Sequence, residues 1–300
     1  MGSDPKAPTI PWMRLGELNP ESSLTPPPAP FPASNSPAEN ARQRFAVSGN
    51  AVFTGGAGTL ALTSARALLE HGLEGLALLD LPASLTKSKD YIASLEHDFP
   101  NSKFISIPCD VTIESEVQSA IQTATTHLGN LKILCCFAGI VNCVPSIEMS
   151  LEDYKRMQDV NTTGAWIAAQ TVARQMIRTH TPGKILLVSS ISGHRVNYPQ
   201  PQLAYNISKA ALLNMKSCLA AEWAPYGIHV NSISPGYMDT VLNEGEGLAG
   251  HRGVWADRNP MRRMGQPCEL TGPVVLLCSD FGGSYLNGVD VVVDGGGLVF

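Results

Sequence analysis

Charged and aromatic side chains are both scarce in this 300-residue chain: Asp, Glu, Lys and Arg make up 16% of it, and Phe, Trp and Tyr 6%. The 21 basic and 26 acidic residues leave a formal charge of −5 with no basic cluster. That excludes the positive face a nucleic-acid partner needs. No apolar run approaches the ~18 residues of a membrane span, so no membrane partner is expected. The seven cysteines are odd in number, none are spaced as a metal-ligand pair, and most sit in apolar segments. They read as small buried hydrophobes in a reducing compartment, with neither a disulfide framework nor a metal site. The N-terminus lacks a basic stretch followed by an apolar one, and Asp4, Glu17 and Glu21 count against a mitochondrial presequence. The expectation is a cytoplasmic protein.

What the chain does have is ample core material, 44% of its residues being hydrophobic. Residues 1–44 form a separate block: between Thr25 and Pro37 stand Pro26, Pro27, Pro28, Pro30, Pro32 and Pro37. Proline removes backbone donors and favours extended chain, so this block is expected to be a flexible N-terminal arm. From residue 45 onward, short apolar runs alternate with helical stretches. The runs begin with Ala51–Val52–Phe53, Leu76–Leu79, Phe104–Ile107 and Ile133–Cys136, and continue with Ile185–Val188, Ile228–Val230 and Val291–Val293. Continuous apolar runs indicate strands buried on both faces. The expected architecture for residues 45–300 is one α/β domain, a doubly wound parallel sheet of about seven strands. Ligands bind such sheets beyond the carboxyl ends of the strands.

The first strand runs into Thr54-Gly55-Gly56-Ala57-Gly58-Thr59-Leu60-Ala61, just before a helix. Glycine there permits a sharp turn and close approach to a pyrophosphate, which the helix N-terminus attracts. Asp80 ends the next strand, 25 residues after Gly55. An acid so placed accepts hydrogen bonds from both adenine-ribose hydroxyls and repels a 2′-phosphate. Neither Gly58 nor Leu81 is basic, so NAD(H) is favoured over NADP(H), although Lys87 and Lys89 are near in sequence. A strand-end cap is the competing reading of Asp80.

Tyr205 and Lys209 stand four apart in Tyr205-Asn206-Ile207-Ser208-Lys209 and share one face of an expected helix. A nearby ammonium stabilises phenolate and makes tyrosine a better acid–base group. Ser190 follows a strand, where its hydroxyl can polarise a carbonyl, and Asn161 falls within a helical stretch, where asparagine is a modest misfit. Any one of these is ambiguous, but all four are expected to converge on one crevice.

From Val52 to Gly296 these landmarks together resemble the short-chain dehydrogenase/reductase family, built on a single-domain Rossmann fold. They comprise the Gly55 turn, Asp80, Cys109-Asp110-Val111, Phe137-Ala138-Gly139, Asn161, Ser189-Ser190, Tyr205-x-x-x-Lys209, Asn231, Pro235-Gly236 and Asp294-Gly295-Gly296. The resemblance implies that Tyr205 exchanges the proton with a carbonyl oxygen. Lys209 would bind the nicotinamide ribose and tune Tyr205, Ser190 would hold the carbonyl oxygen, and Asn161 would order a proton-relaying water. Ser189 and Ser192 are rivals for Ser190. The implied dinucleotide site comprises Gly55, Gly58, Thr59, Leu60, Asp80, Asp110, Val111, Ala138, Gly139, Tyr205, Lys209, Pro235, Gly236, Met238 and Thr240, and needs no metal. Thr59 and Ala61 replace two glycines of the family turn, and Cys136 and Phe137 replace two asparagines. Thr59 must therefore avoid positive φ.

The segment Val196-Asn197-Tyr198-Pro199-Gln200-Pro201-Gln202 and the string Glu222-Trp223-Ala224-Pro225-Tyr226-Gly227 look like those of fungal arabinitol, mannitol, sorbose and xylulose enzymes of this family. The implied substrate is a polyol or its ketose, bound by Ser190, Asn197, Gln200, Tyr205 and Asn243. A polar loop rim is the plainer reading of the amides. Alternatives are a reductase of a secondary-metabolite or acyl ketone, and a catalytically silent dinucleotide-binding regulator. Residues 238–265 are expected to form a lid, and the helices near 151–178 and 204–224 to support a homodimer or homotetramer.

Overall fold

The computed structural model describes residues 11–17, 23–240 and 249–299. Its centre is a sheet of seven parallel strands: β1 (Asn50–Thr54), β2 (Gly75–Asp80), β3 (Lys103–Pro108), β4 (Leu131–Cys136), β5 (Gly183–Val188), β6 (Ile228–Pro235) and β7 (Asp290–Val293). They lie in the order β3-β2-β1-β4-β5-β6-β7. The chain steps outward from β1 to β3, returns to place β4 against β1, and then steps the other way. The order reverses between β1 and β4, which opens a crevice above that pair.

Alternation along each strand fills two cores. Ala51 and Phe53 of β1 join Leu76 and Leu78 of β2 in one core, with residues of α2 (Thr59–Glu70) and α10 (Thr271–Cys278). Val52, Ala77 and Leu79 belong to the other, with α5 (Glu114–Leu128), α7 (Gly164–Arg178) and α8 (Leu203–Trp223). The remaining helices are α1 (Pro37–Arg44), α3 (Pro82–Lys87), α4 (Lys89–Asp98), α6 (Leu151–Gln158) and α9 (Ala249–Asp257). Burial on both faces holds for the inner strands. It relaxes at β3 and β7, which end the sheet and keep partly exposed residues.

Within the segment read as an arm, Ser36 caps α1 through a reciprocal bond pair with Glu39. Phe31 stacks on Phe281 with ring centroids 4.4 Å apart. No helix of the described residues is long and apolar enough to cross a membrane.

At the foot of the sheet, Lys184 Nζ donates to His229 Nδ1 at 2.8 Å and to the Gly283 carbonyl at 3.0 Å. Burial lowers Lys184 to about 8. Burial first, and the Lys184 charge second, lower His229 from 6.5 to about 4. Between those two pH values the unfolded chain binds the histidine proton and the folded one does not, so acid favours unfolding. Urea midpoints measured from pH 7 to 4 should fall across this window, and His229→Gln should flatten part of the decline. An unchanged slope in the variant would mean other groups carry it.

Candidate active site

The residues singled out along the chain meet at the carboxyl ends of the strands. Asp110 lies past β3, Asp80 ends β2, Gly55 follows β1, Ala138 and Gly139 follow β4, Ser190 follows β5, and Pro235 ends β6. They flank the crevice where the strand order reverses.

At its dinucleotide end the backbone is shaped for close approach. Gly55 has φ +63°, and a Cβ on it would lie 2.5 Å from the Ala138 amide nitrogen, so no other residue fits there. Gly58 is the N-cap of α2 and offers no side-chain cap to the helix. The first N–H groups of α2, at Thr59 and Leu60, are thus left for an anion. Thr59 begins the helix and is not among the non-glycine residues with positive φ. Phe137 stacks on Phe53 at 5.4 Å, so replacing asparagine there extends the core instead of disturbing the turn.

Asp80 does two things at once. Its Oδ2 accepts the Ala57 amide at 3.0 Å and its Oδ1 the Leu81 amide at 2.8 Å, while Ser88 Oγ donates to the Ala57 carbonyl at 2.8 Å. The acid therefore braces the glycine turn, and each oxygen keeps a lone pair for a ribose hydroxyl. Asp110 accepts the Thr112 amide and hydroxyl at 2.9 and 2.7 Å, which pins the turn that carries Val111. A free α2 terminus, an obligatory glycine and a braced carboxylate together fit an adenine dinucleotide.

The four catalytic candidates are brought together. Lys209 is buried and its Nζ donates to the Val188 carbonyl at 2.8 Å. That Nζ lies 5.7 Å from the centre of the Tyr205 ring. Asn161 is fully buried in a π-helical turn, Asp159–Thr163, between α6 and α7. The bulge turns its amide inward, where Oδ1 accepts from the Ile140 amide at 2.8 Å and Nδ2 donates to Ser208 Oγ at 2.9 Å. Asn161 Oδ1 and Lys209 Nζ lie 3.4 and 3.5 Å from where a Gly139 Cβ would stand. Both groups therefore pack beneath Gly139.

Of the three serines, Ser190 stands near enough to Tyr205 to pull on its phenol and exchanges bonds of 3.1 Å with Ser192. Ser189 Oγ is spent on the Lys209 carbonyl at 2.7 Å.

Tyr205 is half-buried with its phenol enclosed. Burial pushes the phenol up to about 12, against the pull of the nearby Ser190 hydroxyl. Burial also lowers Lys209 to about 8, with Cys136 opposing. Sequence reasoning expected the ammonium to lower the phenol. In the folded protein burial of the phenol is the largest influence, and the opposing pull comes from Ser190, not from Lys209.

On the loop after Ser190, Asn197 and Gln200 both reach the Tyr237 hydroxyl, and Trp255 stacks on Tyr237 at 4.2 Å. Tyr237 and Trp255 were not singled out in the sequence, since neither matched a motif. Met238 and Thr240 are buried near the end of β6. Asn243 and part of the expected lid lie outside the described residues, while α9 belongs to the described part. Asn231 ties β6 to the segment before β7, Nδ2 donating to Leu286 and Oδ1 accepting from Val289.

The family model described as Enoyl-(acyl carrier protein) reductase matches residues 55–297. The D-arabinitol 2-dehydrogenase [ribulose-forming] of Candida tropicalis is 34% identical over 257 residues, covering 82% of this chain and 90% of that protein. The NADH-dependent L-xylulose reductase of Ambrosiozyma monospora is 32% identical, covering 82% and 93%. Among solved structures, a gluconate 5-dehydrogenase from Burkholderia cenocepacia in complex with NADP and tartrate superposes with a TM-score of 0.77 at 28% identity, covering 87% and 99%. The chain belongs to the short-chain dehydrogenase/reductase family and is an NAD(P)-dependent oxidoreductase.

Gly55→Ala should weaken NADH binding at least about tenfold in calorimetry, since the new methyl meets backbone that cannot swing aside. Wild-type affinity in that variant would show that the turn is not where the dinucleotide sits.

Proposed function

We propose that the protein interconverts a sugar alcohol and its ketose. One observation carries this reading: the Tyr205–Lys209 pair stands beside the β5 end, and the amides of Asn197 and Gln200 lie on the loop that follows Ser190 there. The polyol and ketose names of the relatives support it.

In reduction, Tyr205 gives its proton to the carbonyl oxygen, and a phenol near 12 is fully protonated at neutral pH. Ser190 donates a hydrogen bond to the same oxygen as it gains charge. Lys209 binds the nicotinamide ribose and tunes Tyr205, and a water ordered by Asn161 would relay protons to Lys209. In oxidation the same groups run in reverse. The nicotinamide supplies or accepts the hydride when bound. Gly55, Gly58, Thr59 and Leu60 would hold the pyrophosphate, and Asp80 the adenine ribose. Asp110 and Val111 would flank the adenine, and Ala138, Gly139, Pro235, Gly236, Met238 and Thr240 the nicotinamide half. Asn197, Gln200 and Asn243 would meet substrate hydroxyls.

NAD(H) is the cofactor we favour, on the charge of Asp80 and the uncharged Leu81 after it. A homodimer or homotetramer through α7 and α8 is the assembly we favour, supported by exposed Leu203 and Ile207 on α8. A cytoplasmic location is the one we favour, since the free cysteines fit a reducing compartment.

Absorbance at 340 nm with NADH or NADPH and fructose, xylulose, ribulose or sorbose tests the reading. One ketose should turn over, and Tyr205→Phe should lower the rate by about 10³-fold while dinucleotide binding persists. Silence on every sugar, with tight dinucleotide binding, would hand the site to another ketone or to a regulatory role. Asp80→Ala should shift the NADH-over-NADPH preference by about tenfold toward NADPH; no shift would leave Asp80 as a turn brace alone.

A further inference from the structure

The rim of the pocket contains a chain of hydrogen bonds whose direction is determined at one end. Trp255 Nε1 can only donate, and it donates to Gln200 Oε1 at 3.0 Å. That orients the Gln200 amide, so its Nε2 donates onward, to Tyr237 at 3.0 Å and to Gln202 Oε1 at 3.2 Å. Asn197 Nδ2 donates to the same Tyr237 oxygen at 2.7 Å. Two N–H groups thus fill both lone pairs of the phenol. Burial raises the Tyr237 phenol above its ordinary value, so it stays protonated at neutral pH. Its proton has no acceptor among the described residues.

The same residues leave the opposite deficit beside it. Asn197 Oδ1 is buried with no partner, and an unsatisfied buried acceptor calls for an explanation. Tyr237 and Asn197 line one cavity together with Ile191, the neighbour of Ser190. Tyr237 follows the end of β6, which pairs with the β5 end that leads into Ser190. A donor and an acceptor side by side are the complement of a hydroxyl group, which both accepts and donates.

We infer that Tyr237, oriented by Asn197 and by the Trp255–Gln200 chain, selects a carbonyl substrate carrying a hydroxyl on the carbon next to the one reduced. This deepens the oxidoreductase reading and rests on it, without requiring that the substrate be a sugar. Tyr237 donates a hydrogen bond to the substrate hydroxyl oxygen, and that hydroxyl donates one to Asn197 Oδ1. In this selection Trp255 and Gln200 act through Tyr237: they set which way its hydroxyl points. The stacking of Trp255 on Tyr237, nearly parallel at 4°, holds the ring in place.

The test compares 3-hydroxy-2-butanone with 2-butanone, which differ by that hydroxyl. Wild type should prefer the hydroxy ketone in kcat/KM, and Tyr237→Phe should lower the preference ratio about tenfold. Trp255→Phe keeps a ring against Tyr237 but removes the N–H that orients Gln200, so it too should lower the ratio. A merely structural role would depress both substrates equally and leave the ratio unmoved, which would overturn the inference. So would a wild type that shows no preference.

Binding supplies a readout that does not depend on turnover. In a Tyr205→Phe background loaded with NAD, calorimetry should show 2,3-butanediol bound more tightly than 2-butanol, with the difference lost on adding Tyr237→Phe. Equal affinities before that addition would overturn the inference. Failure of every sugar, with the butanone ratio still dependent on Tyr237, would defeat the polyol reading and leave this one standing.

Discussion

The site depends on how α8 is fastened to the end of β5. Lys209 Nζ donates to the Val188 carbonyl, and Ser189 Oγ donates back to the Lys209 carbonyl. The two bonds run in opposite directions between the same pair of elements, so neither sliding nor rotation of the helix preserves both. Gly193 completes the fit, because a Cβ there would lie 2.8 Å from the Lys209 carbonyl group. With α8 held so close, Tyr205 one turn earlier is carried to Ser190. Asn161 joins from the other side through Ser208, the residue before Lys209.

This closeness sets the electrostatics. A lysine pressed against the sheet loses water, and its ammonium becomes easier to deprotonate, while the phenol beside it becomes harder to ionise. Two groups whose ordinary values nearly coincide near 10 are pushed apart. The phenol then holds a proton to give, and the lysine can pass one along near neutral pH. The polar rim obeys the same rule in another form. Dry surroundings make each amide's direction matter, and the indole of Trp255, which can only donate, sets the sense of the bonds around Gln200 and Tyr237.

The dinucleotide end shows how substitutions away from the family pattern are absorbed. Thr59 stands where the helix has already begun, so it never needs the backbone freedom of glycine. Phe137 stands over Phe53 and turns a polar strand end into core. Asp80 unites the two readings its position invited, a cap of the glycine turn and a carboxylate at the crevice.

Much of this was legible in the amino-acid order. Continuous apolar runs ending in Gly, Asp or Ser determine a parallel sheet with its polar ends on one side, because burial on two faces demands uninterrupted hydrophobicity. The four-residue step from Tyr205 to Lys209 determines a shared helix face, because helical geometry is local. Edge exposure at β3 and β7, the π-helical turn around Asn161 and the upward shift of the Tyr205 phenol were not legible, since each depends on neighbours distant in the chain. The pairing of Tyr237 with Asn197, Gln200 and Trp255 is the clearest case. Four residues spread over positions 197 to 255 carry no periodic signal, and only the packing of α9 and the β6 end against the Ser190 loop decides that Asn197 and Gln200 meet at the Tyr237 oxygen while Trp255 holds Gln200.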